Sequence, residues 1–171
     1  MFGRKRNQKS ESSTDAPNDV YDDLRTMALD AATRGVVSTS PDHPDVLGLV
    51  VDIPAKGGFV TIVGLADSTA SMYTSVGGGI IGAGGHASVA AATQAALAEV
   101  QQNLGRFNVR DDQALPPDGL VRLHVLTSSG GRHLDVPEGA FWGREEHELM
   151  PVIAMVQNLI SALSATSPSS A

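Results

Sequence analysis

The stretch Gly77 to His86, GGGIIGAGGH, holds six glycines between positions 77 and 85. Gly77, Gly79 and Gly82 spell G-x-G-x-x-G, the string that lets a dinucleotide pyrophosphate approach bare backbone at a strand-to-helix turn. The surroundings do not fit that use. The strand pattern before the string belongs to a run of hairpins, and the helical pattern after it starts several residues late. About twenty residues on stands Gln102 rather than the acidic residue a ribose requires. A P-loop is excluded because no Lys-Ser or Lys-Thr follows the glycines. A simpler anion site remains: backbone N–H groups of Gly82, Ala83, Gly84 and Gly85 ahead of a helix, with His86 at the rim and the Ser88 hydroxyl beside it. The competing reading is steric. Ile80 and Ile81 plug the core while the glycines carry main chain where side chains would collide. No cation other than His86 is near in sequence, so the steric reading takes precedence.

The second constellation is His124, His133 and Asp135. Facing strands of a hairpin would bring the two imidazoles together, with Asp135 on the alternation of His133, a conceivable two-histidine, one-carboxylate metal set. A slip of one residue in register sends one imidazole to the other face. The expectation is therefore solvent-facing hairpin residues, and no metal or cofactor is assigned. His147 among Glu145, Glu146 and Glu148 lacks the H-E-x-x-H spacing and reads as the charged first turn of the last helix. There is no G-x-S-x-G elbow and no cysteine for a thiolate nucleophile or metal site. The adjacent carboxylates Asp22–Asp23 and Asp111–Asp112 read as solvated groups rather than an acid and a base with separated pKa values. Phe141 and Trp142, the sole tryptophan, sit in a glycine-flanked connection and are candidates for an interface anchor or for a cap on the core.

Charge narrows the partners. Four of the 12 basic residues, Arg4, Lys5, Arg6 and Lys9, crowd the N-terminus, leaving eight basic against 17 acidic residues from Asn18 onward. A body at formal −9 repels phosphate backbones, so no nucleic-acid partner is expected. Aromatic content of 4% offers no platform for stacking bases. Residues 1–17 are polar and basic with almost nothing to bury, and read as a disordered tail capable of weak peripheral contact with an anionic surface. No apolar stretch follows the basic residues as in a secretory signal. The run from Leu149 to Leu163 is too short and too interrupted to span a bilayer. The expected location is cytoplasmic.

Elements to position these residues follow from periodicity. Asn18 can cap a helix with apolar positions Val20, Leu24, Met27 and Ala31, ended by Gly35. Leu47–Ile53, Phe59–Ala66 and Ala70–Val76 form a three-stranded meander. A long helix covers Ser88–Phe107, with Val89, Thr93, Leu97, Val100 and Leu104 as its stripe. Leu120–Leu126 and Arg132–Val136 make a second hairpin around SSGG, and a last helix carries Leu149, Val152, Ile153, Val156, Leu159, Ile160 and Leu163. The order α-βββ-α-ββ-α predicts an α+β fold, one domain over 18–165, with an antiparallel sheet of about five strands, helices on one side of it, and 166–171 frayed. In outline this order is similar to the profilin-like and roadblock-like group of small regulatory domains. The similarity is one of topology alone and carries over no site or activity.

The expected function is a non-enzymatic regulatory or protein-interaction module, assembling with itself or a partner around the glycine stretch. The alternative is a small anionic-ligand-binding protein or an enzyme that uses the turn at 77–88, with His86 moving a proton.

Overall fold

Alternation along each strand decides which layer a side chain joins. The computed structural model describes residues 17–167; of the tail expected over 1–17, all but Pro17, which is helical, lies outside the described residues, as do 168–171. In β1 (Val46–Ala55), Leu49, Val51 and Ile53 join one core cluster, while Leu47 and Val50 join another on the opposite face. Asp52 shares that second face. Both faces are therefore buried, and burial along β1 is nearly continuous.

β1 lies at the middle of the sheet. It pairs with β2 (Gly58–Leu65) on one side and β6 (Leu120–Thr127) on the other. β3 (Ala70–Thr74) and a two-residue β4 (Gly79–Ile80) extend the first side. β7 (Gly130–Pro137) and a two-residue β5 (Asn108–Val109) extend the second. The order is β4-β3-β2-β1-β6-β7-β5, every pairing antiparallel. The fold is α+β as expected, with two short edge strands added to the five long ones.

The helices cover both faces, not one. α2 (Ala87–Gln102) and α4 (Met150–Ser164) lie side by side on the first face, burying Val89, Leu97, Val100, Val152, Val156, Leu159 and Leu163. They press closely on β2. A methyl group on Gly64 would come within 3.1 Å of Thr93 and 3.3 Å of Leu159, so the absence of a side chain there sets the layer spacing. A single turn, α3 (Glu138–Phe141), links β7 to the segment before α4.

α1 (Pro17–Leu29) takes the other face, and its phase corrects the expected one. Val20 and Met27 stand 46% and 52% exposed, while Tyr21, Arg25 and Leu29, spaced at four residues, are buried. An arginine in the buried stripe hid that phase from a count of apolar residues. The described part of the helix, Pro17–Leu29, has Asn18 inside it rather than at its cap, and gives way to turns after Leu29 rather than running to Gly35. α2 likewise stops at Gln102, ahead of a 3₁₀ turn at Leu104–Arg106.

Candidate functional site

The sheet face under α1 carries a row of polar side chains where an apolar row is the norm. Asp52 is its centre and is fully buried. Arg25 reaches down from α1, Nε donating to both Asp52 oxygens at 3.1 Å and Nη2 to Oδ2 at 2.6 Å. The Thr61 hydroxyl donates to Oδ1 at 2.7 Å from the neighbouring strand. Tyr21 Oη meets Thr61 Oγ1 at 2.8 Å, and His124 Nε2 lies 3.1 Å from Asp52 Oδ2. Burial alone would push the Asp52 carboxyl up. The hydrogen bonds from His124 and Arg25 and the guanidinium charge outweigh it and hold the group below the usual carboxylate range.

A second pair runs alongside. Arg122 on β6 faces Asp135 on β7 in register, Nε donating at 2.6 Å and Nη2 at 2.7 Å in a bidentate fork. That fork lowers the Asp135 carboxyl. His124 and His133 are direct cross-strand partners, their rings edge to face with centroids 5.9 Å apart. The hairpin register does bring the imidazoles together, but they are buried, 5% and 6% exposed, rather than facing solvent. Burial and nearby Arg122 push the His133 pKa down. Its Nδ1 has no hydrogen-bond partner among the described residues; the Asp112 carboxylate approaches only to 3.8 Å. Asp135, the carboxylate of the conceivable metal set, is committed to Arg122.

Segment 110–114 straps this row to α1. Arg25 Nη1 donates to the Gln113 carbonyl at 2.7 Å, Gln113 Nε2 to Asp30 Oδ1 at 2.7 Å, and Arg122 Nη1 to the Ala114 carbonyl at 3.0 Å. Beneath the strap a cleft of about 290 Å³ opens between the end of α1 and the β6–β7 hairpin, with His124 in its wall. A second groove, about 260 Å³, lies at the other end of α1. Val20, Tyr21 and Leu24 form one side of it, Tyr73, Gly78, Gly79 and Ile81 the other.

The glycine stretch divides between turn and close packing. Gly77, Gly78 and Gly79 have φ of 99°, 88° and 157°, and Gly82 at φ 68° precedes a 3₁₀ turn over Ala83–Gly85. A side chain on Gly84 would collide with the Ser68 carbonyl. The Gly82 N–H donates to Ser71 Oγ at 3.1 Å, which removes one donor from the candidate anion set. His86 and Ser88 are exposed at the start of α2, and the His86 N–H bonds to the Ala83 carbonyl. The side chains of the plug are reversed in part: Ile80 packs on the core while Ile81 is exposed.

Phe141 is buried in the core and Trp142, 46% exposed, stacks against its edge at 5.1 Å. His147 does not begin the last helix. With Glu145, Glu146 and Glu148 it precedes α4, and its Nδ1 accepts the Leu149 N–H.

Arg25, Asp52, Thr61 and the Arg122–Asp135 pair were missed from sequence. A trace of them exists: Asp52 interrupts the apolar run LGLVVDI, and Arg122 and His124 interrupt LVRLHVL. Charged residues inside otherwise continuous buried strands need partners. No protein-family model, no curated protein and no solved structure matches this chain.

Proposed function

We propose that this chain is a non-enzymatic interaction module whose docking site is the groove between α1 and the glycine stretch. The groove carries the reading. Its rim holds Val20 and the 59% exposed Ile81, with Val76 also exposed nearby in the chain, an apolar surface that water disfavours until a partner covers it. Gly78 and Gly79 bring no side chains to its wall, which leaves room for those of a partner.

The rim chemistry selects the occupant. Asp19, Asp22 and Asp23 are exposed on the helix that forms one wall. Charge complementarity then favours a protein segment with two apolar anchors flanked by lysine or arginine. The edge strand here, β4, is only two residues long and follows a positive-φ turn at Gly77 and Gly78, which argues for side-chain docking over addition of a strand. Acid–base chemistry has less support, because the carboxylate best placed for it, Asp52, is enclosed and committed to Arg25, Thr61 and His124.

Peptide-display selection on the chain tests this. Apolar peptides with basic flanks should be enriched, and Ile81→Asp, with melting unchanged, should abolish the enrichment. Absence of enrichment, or enrichment that survives Ile81→Asp, overturns the proposal. Light scattering across a concentration series reads self-association. A dimer dispersed by Ile81→Asp would make a second copy the occupant and overturn the basic-peptide assignment.

A further inference from the structure

We propose that the cleft beneath segment 110–114 binds a small amine-bearing molecule, with His124 Nδ1 as a hydrogen-bond acceptor in its wall. His124 is more than nine-tenths buried, and one edge of its ring is already fixed. Nε2 faces Asp52 Oδ2 at 3.1 Å and Arg25 Nη2 at 3.3 Å. Arg25 Nη2 already donates to the same carboxylate at 2.6 Å, so the proton of the neutral ring belongs on Nε2, donated to Asp52. The lone pair is then on Nδ1. Nδ1 has no partner among the described residues and is not one of their fully enclosed unpaired atoms, which are Tyr73 Oη and His133 Nδ1. The residue itself lines the cleft.

The charged groups of the lining are three carboxylates and two arginines. Asp30 and Asp111 line the cleft, each with one oxygen engaged, Asp30 by Gln113 and Asp111 by the Gly131 N–H. Asp112 is the third carboxylate. Of the two arginines there, Arg110 lies 3.8 Å from Asp112 in a solvent-exposed pair, and Arg132 reaches toward the Phe107 carbonyl at 3.5 Å. Three carboxylates against two arginines leave the lining at formal −1, and with the His124 lone pair this suits a ligand that donates and carries positive charge. The volume of about 290 Å³ is at the small end of ligand pockets, enough for a metabolite-sized molecule.

The test is NMR of the ¹⁵N-labelled histidine ring at fixed pH and ionic strength, titrated in turn with 1,4-diaminobutane, 1,4-butanediol and succinate. The diamine should shift the His124 ring saturably, with the diol and the diacid without effect. Asp111→Asn keeps the oxygen that holds Gly131 and should weaken diamine binding about tenfold, the worth of one charge-assisted hydrogen bond. A saturable response to succinate, an equal response to the diol, no response of His124 to the diamine, or a diamine response indifferent to Asp111→Asn and Asp30→Asn overturns the assignment.

Discussion

Arg25 and Asp52 join α1 to the central strand through a guanidinium fork sealed from solvent, the carboxylate fully buried and the arginine nearly so. Because α1 forms a wall of the groove at one end and of the cleft at the other, this pair holds both sites in place.

Breaking the pair from one side should be costly. Asp52→Asn or Arg25→Met leaves an uncompensated buried charge, with an expected loss of about 3–5 kcal/mol in urea denaturation. The double variant should recover part of that loss, since neither charge is then stranded. A double variant as destabilised as the sum of the singles would show that the pair acts through packing alone.

Acid should unfold the protein in two stages. His133 is depressed, so its neutral form stabilises the fold above the unfolded value of about 6.5, and that contribution is lost as pH falls through the lower folded pKa. Asp52 and Asp135 are also depressed. Their contribution is complete above the unfolded value of about 3.9 and disappears as pH falls further through their folded values. Urea midpoints measured from pH 8 to pH 3 should fall in both ranges, and His133→Leu should flatten the upper one alone.

The two buried tyrosines of this face should respond oppositely to losing their hydroxyls. Tyr21 Oη is bonded to Thr61, so Tyr21→Phe is expected to cost about 1 kcal/mol. Tyr73 Oη is enclosed without a partner among the described residues, so Tyr73→Phe should be neutral or stabilise by up to about 1 kcal/mol. Burial pushes the Tyr21 hydroxyl up to about 12 and raises Tyr73 as well. Stability from both is present below the unfolded value of about 10 and is lost as pH rises through the folded values, an alkaline limb readable by tyrosine absorbance.

Two neighbouring glycines separate close packing from turn flexibility. Gly84→Ala forces a methyl group against the Ser68 carbonyl and should lower stability by about 1–3 kcal/mol. Gly85 faces open space without a positive φ, so Gly85→Ala should be neutral or stabilise by about 0.4–1 kcal/mol. Equal melting temperatures for the two variants would remove the steric account of this stretch.

Residue periodicity was enough to reveal the strands of both hairpins, the helical stripe of α2 and the antiparallel class, because period and turn chemistry are local properties. It let His124 and His133 approach across the second hairpin but left the register open: the turn is Ser128–Ser129 alone, with Gly130 and Gly131 paired in β7, and that sets His124 opposite His133. The phase of α1 was not legible. Val20 and Met27 look like core by hydrophobicity, yet Arg25 occupies the buried face because Asp52, 27 residues away, waits there.

By itself, then, the chain's order of residues determined the five long strands and the three long helices, and where main chain needs glycine. Only the folded arrangement decided that helices cover both faces, that the histidines are enclosed, and that α1 ends between two cavities. The physical reason is range: backbone preference acts over a few residues, whereas a buried charge is tolerated only when a distant partner arrives to neutralise it.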